Sequence, residues 1–161
     1  MRYFTVRGGW ALHLGLVLVV LTTLCTIGWG QPRRQETPEA VVINEVLASN
    51  SRFPMDPQGG ADDWVELYNP GGLAVDVAGC YLTDDLSEPT KWQFPADNPA
   101  ETTIAPGGYL LIWADGDVGA QGLHASFRLD DEGEEIGLFG PDGETLIDGF
   151  SFGPQYTDIS Y

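Results

Sequence analysis

The chain has 161 residues, a length that allows one domain of ordinary size. Its 24 Asp and Glu against 7 Lys and Arg give a formal net charge of -17, and every acidic residue lies beyond residue 30. Because proteins bind nucleic acid through Lys and Arg that displace counterions, this charge disfavours a nucleic-acid-binding protein. The 21 Gly and 11 Pro follow no repeating period; they disfavour a helical bundle and are compatible with short strands joined by tight turns.

The first 30 residues have the features of an export signal. Arg2 and Arg7 give a positively charged start, and the run from Trp10 to Trp29 is almost wholly apolar. Small residues at its end predict cleavage after Gly30. We therefore predict a signal peptide at residues 1–30 and a secreted or cell-surface protein. An uncleaved anchor is the alternative, since about 20 apolar residues can just span a bilayer, and membrane contact is expected only through this segment.

Residues 31–40 are polar and contain two Pro, which predicts a linker. If the signal peptide is removed, Cys80 is the only cysteine left, so no intramolecular disulfide can form. Its neighbours predict a buried strand position, where a lone Cys usually behaves as a small hydrophobic residue. A catalytic Cys needs a His partner, and nothing in the sequence brings His124 to Cys80.

The chain from Val41 onward predicts an all-β domain. Short apolar runs are broken by Pro, Gly, Asn and Asp, and no sustained helical period is present. Ten strands are expected, at residues 41–47, 64–69, 73–77, 80–83, 91–94, 102–104, 109–113, 126–129, 135–139 and 145–148. Short strands at this spacing indicate a β-sandwich.

Three turn sequences organise these strands. Gly71-Gly72 and Gly107-Gly108 are interpreted as hairpin turns. The sequence Gly140-Pro141-Asp142-Gly143 predicts a hairpin between residues 136–139 and 145–150. The strand at 109–113 is apolar on both faces, so we expect it at the centre of a sheet.

Six segments of the chain carry a family resemblance. They are Ile43-Asn44-Glu45-Val46, Asp63-Trp64-Val65-Glu66-Leu67-Tyr68-Asn69, Gly79-Cys80-Tyr81-Leu82-Thr83-Asp84, Trp92-Gln93-Phe94-Pro95, Ile104-Ala105-Pro106-Gly107-Gly108-Tyr109-Leu110-Leu111-Ile112-Trp113-Ala114 and Gly133-Glu134-Glu135-Ile136-Gly137-Leu138. In order and spacing they resemble the lamin tail domain family, bacterial secreted type. The resemblance implies an immunoglobulin-like β-sandwich at residues 41–161 that serves attachment or interaction beside other modules of exported proteins.

The chain departs from the family pattern in two places. Cys80 stands where the bacterial pattern usually has Trp, so this core position is smaller here. In relatives the last residues lead into a Gly-Arg pair and onward, whereas this chain stops at Tyr161. We therefore expect the domain to be truncated at its C-terminus.

Paired acidic residues make calcium the one cofactor to consider; no other is predicted. The preferred ligands are Asp62, Asp63, Asp84 and Asp85, because both pairs lie at predicted strand ends and could face one loop cluster. Further acidic residues occur at 115–117 and 130–135. None of these groups fits the twelve-residue calcium loop of helix-loop-helix proteins.

Catalysis is not predicted. His124 is the only His beyond the signal peptide, and a triad with Ser126 or Ser151 can be drawn, but no Gly-x-Ser-x-Gly elbow is present. Most aromatic residues are expected in the core. If one is a surface anchor that stacks on a ligand, Tyr68 or Trp92 is preferred.

The predicted function is that of a non-catalytic extracellular attachment or interaction module, the N-terminal part of a larger secreted or surface protein. The expected partner is a protein or a cell-surface carbohydrate, and nucleic acid is not expected. One alternative is an accessory domain of a secreted hydrolase or kinase-like enzyme whose catalytic domain lies downstream. Another is a calcium-dependent carbohydrate-binding module.

Overall fold

The computed structural model describes residues 41–161, so the predicted signal peptide and linker lie outside the described residues. The described part is an all-β domain, as predicted, with one helical turn. Its elements in chain order are β1 (Val42–Leu47), β2 (Trp64–Tyr68), β3 (Val75–Asp76), β4 (Tyr81–Thr83), β5 (Trp92–Gln93), α1 (Pro99–Thr102), β6 (Thr103–Ile104), β7 (Tyr109–Trp113), β8 (Glu135–Phe139) and β9 (Leu146–Ser151). No helix within residues 41–161 is long and apolar enough to cross a membrane.

The strands form two larger antiparallel sheets and a small one. One sheet has the order β1-β2-β7, the second has the order β5-β4-β8-β9, and β3 pairs with β6. Alternate residues of both larger sheets point into one shared hydrophobic core, which includes Val65, Leu67, Ile112, Leu82 and Leu138. This packing of two sheets on one core is consistent with the predicted immunoglobulin-like β-sandwich.

A second, smaller cluster lies on the other face of the three-stranded sheet. Because side chains alternate along a strand, Trp64 points away from the face that carries Val65. Trp64 packs there with Leu47 and Trp113, and Leu111 packs against them. Each face of this sheet therefore carries apolar residues, which explains the apolar character of β7 on both sides.

The prediction that residues 109–113 form a central strand is wrong. β7 pairs with β2 alone and is an edge strand, while β2 occupies the centre of its sheet. Only the end of β7 has backbone partners on its free side, where Trp113 N–H donates to Leu123 O at 2.9 Å and Trp113 O accepts from Ala125 N at 2.7 Å.

Two further sequence predictions are corrected. Residues 126–129 do not form a strand, because their one bridge to another segment is the single pairing of Arg128 with Asp115. Phe127 and Leu129 are nevertheless buried, and this alternating burial produced the strand-like pattern. Thr102 ends the helical turn α1, which was not predicted, and the following strand begins at residue 103.

The two Gly-Gly sequences are not hairpin turns but corners at which the chain changes sheets. β2 and β7 belong to the three-stranded sheet, whereas β3 and β6, which flank them in the sequence, pair with each other. The third predicted turn is confirmed: β8 and β9 form an antiparallel hairpin around residues 140–143. There Asp142 accepts hydrogen bonds from the backbone and hydroxyl of Thr145, which lower the pKa of Asp142 to about 2.

Asn69 connects the two corners. Its side chain is buried, and Nδ2 donates to Leu73 O at 2.8 Å and to Ile104 O at 3.0 Å. Its Oδ1 accepts from Gly71 N at 2.9 Å, and its backbone carbonyl accepts from Gly107 N at 2.8 Å. One buried amide side chain thus satisfies backbone groups of both corners.

Candidate metal centre

Asp84 and Asp85, at the end of β4, each have a partner of their own. Asp84 Oδ1 lies 2.5 Å from Lys91 Nζ, and this contact raises the pKa of Lys91. Asp85 Oδ1 accepts from Ser87 Oγ at 2.7 Å and from Ser87 N at 2.8 Å. These hydrogen bonds lower the pKa of Asp85. Each of the two carboxylates thus has a partner within the protein.

Asp62 and Asp63, before β2, are in different surroundings. Asp63 Oδ1 accepts from Asn50 N at 2.9 Å, and burial raises its pKa. Among the described residues, no hydrogen-bond donor meets the Asp62 carboxylate. Burial raises the pKa of Asp62 first, and the nearby charges of Asp115 and Asp56 raise it further.

The two predicted aspartate pairs do not share one set of partners. Within residues 41–161, the group of His, Cys, Asp and Glu whose possible ligand atoms all lie within 4.8 Å of one another consists of Asp56, Asp115 and His124. Asp62 lies beside this group, whereas Asp84 is paired with Lys91. Calcium binding by Asp62, Asp63, Asp84 and Asp85 stays a prediction.

Asp56 enters the group from the long loop between β1 and β2. Its Oδ1 accepts a hydrogen bond from Gln58 N at 3.1 Å and another from Gly60 N, and these bonds close the loop on the carboxylate. A Cβ on Gly60 would collide with Asp62 Oδ2 and approach Asp56 Oδ1. A glycine at this position therefore allows both carboxylates to lie close to the same backbone.

Asp115 and His124 enter from the segment that follows β7. Asp115 Oδ1 accepts from Asp117 N at 2.9 Å, and Asp115 Oδ2 lies 2.7 Å from His124 Nδ1. The bridge between Trp113 and His124 holds the imidazole beside the end of β7. The exposed fractions are 9% for Asp56, 5% for Asp115 and 3% for His124, so this is a largely buried polar group.

Both ring nitrogens of His124 face oxygen atoms that can only accept hydrogen bonds. Nδ1 faces the Asp115 carboxylate, and Nε2 lies 3.1 Å from the Gln121 carbonyl oxygen. A neutral imidazole carries one N–H, so one of these contacts needs a second proton or a cation. The chemistry of the group is thus that of an imidazole held among carboxylates.

The triad that can be drawn from the sequence is not assembled. Ser126 Oγ donates to Lys91 O at 3.0 Å, and Ser151 is exposed on β9. His124 contacts Asp115 and Gln121 instead.

Sequence reasoning considered His124 only as a catalytic base and did not select Asp56 or Asp115 as ligands. One signal was available: Asp115 comes two residues after the apolar strand β7, where loop residues often carry function. Asp56 gave no such signal, because it lies within a long loop of turn-forming residues.

The structure also shows the surroundings of Cys80 and of the two candidate surface anchors, Trp92 and Tyr68. Cys80 is fully buried, as predicted, and burial raises the pKa of its thiol to about 12. Trp92 packs against the core and meets Phe94 edge to face, with 4.6 Å between ring centroids. Tyr68 stacks on Tyr109, with 4.8 Å between centroids, at the surface of the three-stranded sheet.

The fold and the comparisons together define the class of protein. Two antiparallel sheets on one core match an immunoglobulin-like β-sandwich, the fold of the interaction modules in the family that the chain matches. The chain belongs to the lamin tail domain family: the family model, described as Lamin Tail Domain, matches residues 34–154. No curated protein matches the chain.

Proposed function

We propose that residues 41–161 are a non-catalytic interaction module of an exported protein of the bacterial type. The family match over residues 34–154 carries this proposal, because domains of this family are immunoglobulin-like interaction modules. The apolar run after Arg2 and Arg7 supports export. The net charge of -17 supports a protein or carbohydrate partner and disfavours nucleic acid.

The stacked pair Tyr68 and Tyr109 is the proposed contact surface. Tyr109 is 59% exposed, although large aromatic side chains gain free energy when they are removed from water. The stack offers a flat apolar surface with two hydroxyl groups, which suits a protein side chain or the face of a sugar. Tyr109 also lies on the edge strand β7, so a ligand can approach it from the side.

The proposal is tested by binding of the full chain to isolated envelope material of the producing cells. We expect Tyr109→Ala to weaken this binding at least about tenfold, because aromatic anchors dominate binding free energy. The matched control is Tyr156→Ala, which removes another exposed tyrosine outside the stack.

Equal binding of the two variants would contradict the assignment of the surface. Absence of the chain from both the envelope and the culture medium would contradict export. Binding that disappears when free glycans are added would identify the ligand as carbohydrate, whereas loss after protease treatment of the envelope would identify a protein.

A further inference from the structure

We propose that Asp56, Asp115 and His124 form a binding site for a divalent metal ion of the zinc type. The inference is independent of the interaction role. It depends on the convergence of three donor side chains from separate segments, each about nine-tenths buried or more.

The spacing of the donors suits one small cation. Their possible ligand atoms all lie within 4.8 Å of one another. Zinc binds nitrogen and carboxylate oxygen at about 2.0–2.2 Å, so tetrahedral ligand atoms lie about 3.3 Å apart. A small adjustment of side-chain torsions therefore brings these donors to binding distance, without a movement of the strands.

Two carboxylates at the site have oxygen atoms without a protein donor. Asp56 receives both of its backbone hydrogen bonds through Oδ1, which leaves Oδ2 without a hydrogen-bond donor among the described residues. The Asp62 carboxylate beside it has no donor within residues 41–161 either. Asp56 is largely buried and Asp62 partly buried, and a bound cation would give these oxygens the partner that the protein donors do not supply. Asp62 is thus placed to serve as a further ligand.

The imidazole has the orientation of a metal ligand. A metal-bound His usually donates its other N–H to a carbonyl or carboxylate, and His124 Nε2 lies 3.1 Å from Gln121 O. With that proton on Nε2, the lone pair of Nδ1 points at Asp115 Oδ2 at 2.7 Å, where two acceptors repel each other. A metal ion bound to both atoms removes the repulsion. A second proton on the ring is the competing arrangement.

The donor set selects the ion. Calcium and magnesium prefer sites made of oxygen alone, whereas imidazole together with carboxylate suits zinc, cobalt and nickel. One nitrogen and two or three carboxylate oxygens therefore point to zinc. Arg128 is the cation whose charge reaches Asp62, and it leaves the excess of carboxylates around His124 only partly compensated.

The test uses the full chain, purified after export and freed of metal with a chelator. Calorimetry with zinc alone is expected to show one ion per chain, and cobalt is expected to give the visible absorption of a four- or five-coordinate ion with a nitrogen ligand. Zinc is expected to raise the melting temperature. Calcium is expected to bind at least about tenfold more weakly.

Two variants and a control make the result decisive. Asp56→Asn keeps an oxygen for the two loop amides and removes the charge, and His124→Ala removes the nitrogen; each is expected to weaken zinc binding at least about tenfold. Asp85→Asn, at a partly exposed carboxylate outside the group, is expected to bind zinc like the natural chain.

No zinc or cobalt binding by the natural chain would overturn the proposal, and it would leave the protonated ion pair as the description of the group. An equal loss of zinc binding in Asp56→Asn, His124→Ala and the control Asp85→Asn would also overturn it, since the ion would then bind the acidic surface in general. If His124→Ala does not fold, Asp56→Asn decides the question.

Discussion

At the scale of single residues, Asn69 connects two distant parts of the fold through one side chain. Its Nδ2 donates to Leu73 O and Ile104 O, which belong to two corners 31 residues apart in the sequence. A buried carbonyl that loses its donor is destabilising by about 1–3 kcal/mol. The amide therefore stabilises both sheet changes at once.

We predict that Asn69→Ala lowers the free energy of unfolding by about 2–4 kcal/mol, because the buried Ile104 carbonyl and the partly buried Leu73 carbonyl each lose a hydrogen bond. Urea denaturation followed by tryptophan fluorescence measures this loss. Asn98→Ala is the control, since the Asn98 side chain makes no capping hydrogen bond, and a change within about 0.5 kcal/mol is expected there. A loss at Asn69 no larger than at Asn98 would show that the corners do not depend on the amide.

The proposed zinc site of Asp56, Asp115 and His124 illustrates what residue patterns cannot predict. The sequence identified Asp62 as a candidate ligand and His124 as the only His beyond the predicted signal peptide, but it could not show that they lie near Asp56 and Asp115. Asp56 is 59 residues from Asp115 in the sequence, and neither lies in a strand whose register would fix its position. Contacts between such loops depend on tertiary packing, which local spacing does not encode.

At the scale of elements, the alternation of apolar and polar residues was the useful signal. It located β1, β2, β7, β8 and β9 to within a few residues. It was wrong at 126–129, because Phe127 and Leu129 alternate inward without a partner strand to complete a ladder. Apolar character alone also did not distinguish an edge strand from a central one, since β7 is covered by side chains on both faces.

The hairpin of β8 and β9 depends on a close contact between its two ends. Gly133 precedes β8 with a φ of +105°, and a Cβ there would collide with Phe152 O and the backbone of Gly153. We predict that Gly133→Ala lowers the free energy of unfolding by about 2–4 kcal/mol, through backbone strain together with overlap.

Chemical denaturation tests the role of Gly133, with Gly153→Ala as the control. An added Cβ at Gly153 meets no atom within 4 Å, so its effect is expected to stay within about 1 kcal/mol. A stable Gly133→Ala variant would mean that the ends of the hairpin can separate without cost.

At the scale of the whole molecule, the acidic composition determines how stability varies with pH. Glu134 has its pKa raised from 4.5 to about 7, by burial first and then by the charges of Asp84 and Asp130. The folded state holds the Glu134 proton more tightly than the unfolded state does. The protonated side chain therefore makes a favourable contribution to stability at low pH. That contribution is lost as the pH rises from about 4.5 through about 7.

We predict that Glu134→Gln becomes more stable relative to the natural chain as the pH rises from 4.5 to 8, since the amide cannot ionise. Melting temperatures of both chains across this range measure the difference. Glu132→Gln, in the same loop and exposed, is the control. A difference between Glu134→Gln and the natural chain that does not vary with pH would contradict the raised pKa.

Cys80 also has a consequence for the molecule as a whole. It is the only cysteine in residues 41–161, it is fully buried between the sheets, and its thiol has a pKa of about 12. A thiol reagent in solution can reach the sulfur only while the sheets are separated, so the rate of alkylation reports how often the sandwich opens. The natural sequence thus contains its own probe of breathing motions, which needs neither an added label nor a substitution.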